Sequence, residues 1–428
     1  MSGYVIQRNI MPRAKEILAF SPVTVISGGR QTGKSTLAQE LVRDTDAVVA
    51  NLDVEAYREA ADADPDGFIR QFSDRPLVID EIQRVPKLFL AIKAAVDADR
   101  RPGRFVVTGS SNFFSLSGTE ESLAGRAITI PMRGLSQGEL RGITDDFAAW
   151  AWKLPENPSP QLDLPELSRR DYLTTVVQSS FPEIHNAPAA LAEAWLDAYV
   201  ERVTNLDARL VRRVQHPDRL GRLLRLLAAE PAMEFVAAKA GRSLGVPARS
   251  IPAYLDTLRD VYLIDELDPW GRNLSSRVAG RKKVMFNDTA IASILTGTDV
   301  ESLEYDIAGQ LTGGLVENFV ATELAKQRAW SSVKFNIMHY RHRDGEEVDL
   351  ILENRRHQIV AIEVKTTTTV RAQHVRNLRS VRDKVGDAFI AGIVLYTGTK
   401  ILPFGDNIWA VPINALWETG EAHSPTEG

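Results

Sequence analysis

The 428-residue chain is predicted to be an α/β protein built from three consecutive domains. Short apolar runs alternate with amphipathic helices up to about residue 140, which is typical of a doubly wound parallel sheet. Helical periodicity dominates the middle of the chain, and a mixture of strands and helices returns after residue 284. We therefore expect an N-terminal α/β domain (1–150), a helical domain (168–283) and a C-terminal α/β domain (284–420). The four prolines of residues 153–168 indicate a linker or an extended excursion after the first domain.

The composition is that of a multidomain intracellular protein, with 44% hydrophobic and 25% charged residues. The chain lacks cysteine, which excludes disulfides and thiolate metal sites. No apolar run approaches the roughly 20 residues that span a bilayer, and the N-terminus lacks a signal-peptide core. We expect a cytoplasmic protein with no membrane partner. The net charge of -5 argues against a uniformly basic surface for nucleic acid but leaves local basic patches open.

The most informative motif is GGRQTGKST, which follows the apolar run Val23–Ser27 and leads into a helix. In the pattern G-x-x-x-x-G-K-[ST], glycines let backbone N–H groups surround a phosphate at the positive end of a helix. Lys34 is predicted to contact the β- and γ-phosphates, and Ser35 to bind Mg²⁺. An ordinary glycine-rich turn is the alternative, but the strand and helix on either side favour a nucleotide site. The residues predicted to bind ATP are Gly28, Gly29, Arg30, Gln31, Thr32, Gly33, Lys34, Ser35 and Thr36.

Two further strands are expected to end beside this loop. The run LVIDE ends in Asp80, predicted to hold Mg²⁺, and Glu81, predicted to polarise the attacking water. A later strand leads to Ser110 and Asn112, either of which could hold that water or sense the γ-phosphate. Lys34, Asp80, Glu81 and Ser110 are therefore the expected catalytic residues within one subunit.

Arg126 is predicted to reach the γ-phosphate of a neighbouring subunit, because it ends a helix just before the strand 127–130. This role implies a homo-oligomer. The alternative is an ordinary arginine near a helix C-terminus, where the helix dipole favours positive charge.

The middle domain contains a pattern that resembles a winged helix-turn-helix. Helices are expected over 235–240 and 250–258, separated by a turn at 245–247 and followed by the strands of a wing. The wing is basic and could meet the phosphate backbone of DNA, lie free in solvent, or pack on a neighbour as a structural lid. Its basic residues are Arg272, Arg277, Arg281, Lys282 and Lys283.

The C-terminal domain contains a second group of candidate residues. Glu363 and Lys365 are two apart on a predicted strand and share one face. Asp349 ends the alternation Glu347-Val348-Asp349, just before the apolar run 350–352. Two carboxylates can hold Mg²⁺ or Mn²⁺, with a lysine beside the scissile phosphate. Alternating charge on an exposed strand edge is the simpler alternative. The pattern is similar to the PD-(D/E)xK core of restriction endonucleases, which implies an additional acid on a preceding helix, here Glu317.

The order of the blocks GGRQTGKST, LVIDEIQRVP, VVTGSSN and SLAGRA resembles prokaryotic AAA-type ATPases whose C-terminal part is domain of unknown function 4143. The resemblance covers nearly the whole chain and implies a P-loop ATPase fold. This chain departs from the family at Ser179 and Ser180, where glycines are frequent. It also departs near residues 203–206, where the family tends to have Arg-Asp and the nearest acid here is Asp207.

Three functional hypotheses follow. In the first, ATP hydrolysis repositions a C-terminal half that binds and cuts DNA. In the second, the nuclease-like domain is inert, and the protein is a nucleotide-switched scaffold for a protein partner. In the third, the chain is a sensor ATPase whose helix-turn-helix is an internal lid.

Overall fold

The computed structural model describes residues 6–110, 123–157, 160–211, 216–271, 277, 280–306, 309–342 and 344–423. Among these, no helix is long and apolar enough to cross a membrane. The helices are α1 Met11–Phe20, α2 Lys34–Leu41, α3 Glu55–Ala63, α4 Pro65–Gln71, α5 Leu88–Ala98, α6 Gln137–Arg141, α7 Phe147–Lys153, α8 Arg169–Val177, α9 Ala189–Arg202, α10 Ala208–Val211, α11 Pro217–Ala229, α12 Ala237–Leu244, α13 Ile251–Asp260, α14 Thr289–Thr296, α15 Val300–Glu304, α16 Gln310–Gln327, α17 Arg376–Val385 and α18 Ala415–Glu418. The strands are β1 Val23–Gly28, β2 Val48–Asn51, β3 Leu77–Asp80, β4 Phe105–Gly109, β5 Ala127–Met132, β6 Ile143–Asp145, β7 Ile264–Pro269, β8 Lys283–Phe286, β9 Phe335–Arg341, β10 Glu347–Asn354, β11 Ile359–Lys365, β12 Phe389–Tyr396, β13 Leu402–Pro403, β14 Ile408–Pro412 and β15 Gly420–Ala422.

The N-terminal sheet is parallel and has the order β2-β3-β4-β1-β5. Helices α1 and α2 pack on one face, against residues such as Ile26 and Val106, while α3, α4 and α5 pack on the other. Successive strand residues point to opposite faces, so both sides of each buried strand are apolar. The predicted doubly wound parallel sheet is confirmed. Its strands all point the same way, so β1, β3 and β4 end at one edge.

The middle region is helical and ends in an antiparallel strand pair. Helices α12 and α13 flank a turn at Gly245, whose φ of +67° lies in the left-handed region that favours glycine. Strands β7 and β8 follow as an antiparallel pair. These elements match the order expected for a winged helix-turn-helix, an identification that stays a prediction.

The C-terminal sheet has the order β13-β14-β12-β11-β10-β9-β7-β8. Helix α16 packs on one face, and α17 packs on the other. Strand β10 is antiparallel to its neighbours β9 and β11, whereas β11, β12 and β14 run parallel to one another. Because β7 also pairs with β9, this sheet includes strands on both sides of the predicted boundary at residue 283. The three-domain division stays a prediction.

Candidate functional site

The phosphate loop connects β1 to α2 and depends on two glycines. A Cβ at Gly28 would lie 2.0 Å from the carbonyl oxygen of Met132, so only glycine fits beside β5. Gly33 has a φ of +89° and stands immediately before α2. Gln31 also has a positive φ, of +61°. The loop therefore has the tight curvature that presents backbone N–H groups at a helix N-terminus.

Lys34 is the first residue of α2, and its side chain is buried. Its ammonium donates a 2.7 Å hydrogen bond to the carbonyl oxygen of Gly29. Among the described residues, no carboxylate lies within 4.0 Å of this ammonium. Burial lowers the pKa of Lys34 to about 8, although the negative charges of Glu81 and Asp80 act to raise it. Because no described carboxylate pairs with it, the Lys34 ammonium favours the binding of an anion.

Asp80 and Ser35, the two residues predicted to bind Mg²⁺, are already in contact. The Ser35 hydroxyl donates to Asp80 Oδ1 over 2.9 Å. Thr108 on the neighbouring strand β4 donates to the same oxygen. Sequence reasoning did not select Thr108, because only the strand order brings it beside β3.

Glu81 adopts a left-handed backbone conformation, with φ at +60°, which is uncommon for a residue other than glycine. Its carboxylate accepts hydrogen bonds from Ser110, over 2.8 Å, and from Gln83. Its backbone N–H donates to Thr108 over 3.2 Å. The structure thus brings Glu81 and Ser110 together and adds Gln83, which sequence reasoning missed. Asn112 lies outside the described residues.

Arg126 is placed at the sheet edge opposite the phosphate loop. The next residue, Ala127, pairs with Val23, the first residue of β1, whereas the loop follows the last residue of that strand. The guanidinium makes two contacts with Asp97, of 2.6 and 2.9 Å. Arg126 is therefore far from the pocket of its own subunit, and a role in a neighbouring subunit stays a prediction. Most of the helix predicted before it lies outside the described residues.

Side chains from the middle region contact the back of the phosphate loop. Asp207 accepts a 2.5 Å hydrogen bond from Arg30 Nε, and the Tyr199 hydroxyl donates to the Arg30 carbonyl over 3.4 Å. The Tyr262 hydroxyl is hydrogen-bonded to Ser27 Oγ. A cavity of about 190 Å³ adjoins the two tyrosines, and its lining also includes Phe181. The loop and the end of β1 are therefore linked to the helical region through side chains 169 to 235 residues away in sequence.

Asp288 is the N-cap residue of α14. Its side chain accepts a 2.9 Å hydrogen bond from Ala290 N at the start of α14. It also accepts from the Ser180 N–H and hydroxyl, each over 2.8 Å, and from Ser179. The two serines that replace the expected glycines are thus held by this carboxylate.

Asp349, Glu363 and Lys365 meet on adjacent strands of the C-terminal sheet. The Lys365 ammonium lies 2.6 Å from Glu363 Oε2 and 3.5 Å from Asp349 Oδ2. Asp349 Oδ2 also accepts a 2.8 Å hydrogen bond from Val364 N. These contacts arise because β10 and β11 are antiparallel neighbours, which places Asp349 beside the end of β11.

Glu317, the acid expected on a preceding helix, instead contacts Lys283. The Lys283 ammonium lies 2.7 Å from Glu317 Oε1 and 3.1 Å from Glu347 Oε1, and only 1% of this side chain is exposed. The expectation that Lys283 belongs to an exposed basic wing is therefore wrong. It occupies the first position of β8, and its side chain enters the carboxylate cluster beneath α16. Sequence reasoning missed this role and that of Glu347.

Two other basic residues of the predicted wing, Arg277 and Lys282, also form ion pairs, whereas Arg281 is exposed. Arg277 contacts Glu353 at 2.7 and 2.8 Å, and Lys282 lies 3.2 Å from Asp268. Arg272 lies outside the described residues. These ion pairs reduce the positive charge available to a phosphate backbone.

Two carboxyl groups of this cluster, those of Glu317 and Glu363, have raised pKa values. Burial, followed by the negative charge of Asp349, raises the pKa of Glu317 to about 8 and that of Glu363 to about 8. Burial alone would lower the pKa of Lys365, but the charges of Asp349 and Glu363 raise it above its ordinary value. Within the described residues, Glu363 Oε1 is buried without a hydrogen-bond partner. The same residues contain no group of three His, Cys, Asp or Glu side chains arranged to hold a metal.

Comparisons with known proteins agree with the parallel sheet and phosphate loop of the N-terminal region. Residues 21–141 match the model of an AAA domain, residues 169–302 match domain of unknown function DUF8612, and residues 312–416 match domain of unknown function DUF4143. The chain therefore carries an AAA-like P-loop ATPase domain followed by a DUF4143 region. These two parts of the sequence resemblance are confirmed. The nuclease-like identity of the last region stays a prediction.

Relatives along the whole chain exist but have no assigned activity. Uncharacterised proteins of Mycobacterium bovis and Mycobacterium tuberculosis are each 28% identical over 417 residues, covering 97% of this chain and 85% of theirs. Among solved structures, a Walker-type ATPase of Pyrococcus abyssi is similar at a TM-score of 0.44 and 15% identity, covering 68% of this chain and 96% of its own. AMPPCP-bound DnaA from Aquifex aeolicus is similar at a TM-score of 0.28 and 13% identity, covering 59% and 86%.

Proposed function

We propose that the chain is a Mg²⁺-dependent ATPase. The observation that carries this proposal is the buried Lys34 ammonium without a counter-ion, beside the Ser35–Asp80 pair and the Glu81–Ser110 pair. Lys34 binds the β- and γ-phosphates, while Ser35 and Asp80 hold Mg²⁺, which neutralises phosphate charge when bound. Glu81 polarises a water that Ser110 helps to hold.

The nucleoside has a suitable site on the other side of the loop. Asp80 ends β3 and Glu81 follows it. This strand lies on the β4 side of β1, whereas the 190 Å³ cavity adjoins β5 on the opposite side. A triphosphate whose γ end points toward Asp80 directs its base toward that cavity. The rings of Phe181, Tyr199 and Tyr262 suit a flat aromatic base.

Two substitutions test this proposal by isothermal calorimetry and steady-state ATPase assays. We expect Lys34→Ala to weaken MgATP binding about 100-fold or more, because a desolvated charge contact to phosphate is lost. We expect Glu81→Gln to retain binding but to lower kcat by about 10²–10⁴-fold, the usual contribution of a general base. Lys15→Ala, on the exposed face of α1, is the matched control. Full MgATP affinity in Lys34→Ala would contradict the proposal.

We further propose that the active form is a homo-oligomer in which Arg126 completes a neighbouring site. Its position opposite its own pocket supports this arrangement, which requires the guanidinium to leave Asp97. ATPase activity per subunit should then rise with protein concentration, and Arg126→Ala should remove that rise. A specific activity that stays flat as the oligomer dissociates would exclude this role.

For the C-terminal half we propose DNA binding and metal-dependent cleavage. Asp349 and Glu363 provide the oxygen ligands that Mg²⁺ and Mn²⁺ prefer, and the unpartnered Glu363 Oε1 leaves one donor free. The metal would supply Lewis-acid chemistry at a phosphate, and Lys365 would stabilise charge beside it. Mn²⁺-dependent cleavage of supercoiled plasmid, lost in Lys365→Ala, is the expected result. Intact plasmid at all metal concentrations would contradict it.

A second candidate function is a nucleotide-switched protein without nuclease activity. The pairing of Lys283 and Lys365 with the carboxylates favours this alternative, because the cluster already contains its own cations. Contacts of Tyr199, Asp207 and Tyr262 with the phosphate loop favour a helical region that acts as an internal lid. DNA binding that weakens steeply with salt and depends on Arg277 and Arg281 would argue against the lid alone.

A further inference from the structure

The arginine inside the phosphate loop is engaged by a residue from outside the loop. The Arg30 side chain is 18% exposed and the Asp207 side chain 10% exposed, and a 2.5 Å contact joins Nε to Oδ2. Asp207 ends a π-helical turn, Val203–Asp207, between α9 and α10. Such turns are rare and frequently mark functional positions in helices. The loop is therefore tied to an irregular segment of the helical region by an ion pair.

Arg30 directly follows Gly29, whose carbonyl oxygen accepts the 2.7 Å hydrogen bond from the Lys34 ammonium. Burial alone would lower the pKa of Arg30, but the hydrogen bond and charge of Asp207, with smaller contributions from Glu81 and Asp53, raise it above its ordinary value. The charges of both Arg30 and Asp207 act in turn on Lys34. The guanidinium is thus within electrostatic reach of Lys34 and Glu81, the two groups on either side of the proposed γ-phosphate position.

We propose that Arg30 discriminates ATP from ADP within its own subunit by exchanging Asp207 for the γ-phosphate. The inference rests on the proposed ATP binding and assigns a role to one residue of that site. A guanidinium presents a planar set of N–H donors that can bind two phosphate oxygens at once. With ADP no γ-phosphate competes for the guanidinium, so Arg30 remains on Asp207.

The exchange provides a route from the nucleotide to the helical region. When Arg30 leaves, Asp207 becomes a nearly buried carboxylate without a counter-ion, a state that is strongly unfavourable. The π-helical turn must then rearrange to expose Asp207 or give it a new partner. The Thr204 hydroxyl donates to the Val200 carbonyl over 2.8 Å and so bonds this turn to α9. Movement of the turn therefore acts directly on α9, which also carries Tyr199.

Calorimetric titrations with MgADP and with the magnesium complex of a β,γ-methylene ATP analogue test the exchange. We expect Arg30→Gln to weaken binding of the ATP analogue about tenfold or more while changing ADP affinity by less than about threefold. Asp207→Asn removes the competing carboxylate, so the preference for the ATP analogue over ADP should increase. Arg43→Gln, an exposed change just after α2, is the control and should leave both affinities unchanged.

If the Arg30–Asp207 ion pair had only a structural role, the affinities for the two nucleotides would change in a different way. Equal weakening of both nucleotides in Arg30→Gln, or a reduced ATP preference in Asp207→Asn, would overturn the inference while leaving the proposed ATPase intact. Failure of the wild type to bind either nucleotide would overturn both. If Arg30→Gln does not fold, the Asp207→Asn result alone decides, because the asparagine keeps the size of the side chain and retains an oxygen for Arg30.

Discussion

The two candidate sites each contain a lysine that is almost fully buried, and these lysines are in opposite electrostatic states. Lys34 is 4% exposed and contacts a backbone carbonyl, and its pKa is lowered to about 8. Lys283 is 1% exposed and lies between the carboxylates of Glu317 and Glu347, whose charges raise its pKa above the ordinary value despite burial.

Burial alone therefore does not determine the electrostatic state of a lysine, because that state also depends on the group that its ammonium contacts. Taking an ammonium out of water is unfavourable unless an anion compensates it. At the phosphate loop that anion is absent from the described residues, so a bound phosphate would supply the missing negative charge. In the C-terminal cluster, the protein supplies the anions itself. Lys365 repeats this second arrangement with Asp349 and Glu363.

The largest expected effect is a difference in the free energy of unfolding between variants of the two lysines. Glu317 is ionised above its pKa of about 8, and at pH 8.5 Lys283→Met leaves Glu317 and Glu347 without their cation. We therefore expect the free energy of unfolding at that pH to fall by about 3–5 kcal/mol, as for other broken buried pairs. Lys34→Met removes an unpaired buried charge and should leave stability nearly unchanged or slightly higher. Urea unfolding of both variants, followed by circular dichroism, makes the comparison. Equal losses in the two variants would show that the pairing of Lys283 does not matter.

A smaller effect concerns the pH dependence of stability. Glu317 and Glu363 have folded-state pKa values of about 8, against an ordinary value of 4.5. Between these values the folded protein keeps protons that the unfolded chain releases, so stability should fall as pH rises from about 5 to 8, by up to a few kcal/mol.

The urea midpoint at pH 5.5 and pH 8.5 measures this fall. Glu317→Gln and Glu363→Gln should each flatten the dependence, because glutamine does not titrate. Glu421→Gln, at an exposed position, should leave it unchanged. Stability that rises across this range in the wild type would mean that the two carboxylates are ionised throughout.

The sequence predicted those parts of the sites that depend on local spacing. The strand, glycine loop and helix around Lys34 follow one another directly, and the two-residue period of a strand placed Glu363 and Lys365 on one face. Thr108 and Asp207 could not be selected, because each reaches the nucleotide pocket only through strand order or helix packing. Lys283 followed Arg281 and Lys282 in a basic run, and nothing in that run shows which residue turns inward. Only the placement of β8 beneath α16 makes Lys283 a counter-ion.

The smallest expected effect is a pH dependence of MgATP affinity, which arises from the Lys34 ammonium. Because the pKa of Lys34 is about 8 in the nucleotide-free protein, the side chain loses its proton above that pH and must regain it to hold phosphate. MgATP affinity should therefore fall roughly tenfold between pH 7 and pH 9.

Calorimetry in buffers of different ionisation enthalpy should show proton uptake at pH 9. In Lys34→Arg the guanidinium stays charged, so any remaining affinity should not vary over this range. A wild-type affinity that is constant from pH 7 to pH 9 would mean that Lys34 already has an anionic partner, which would remove the contrast with Lys283.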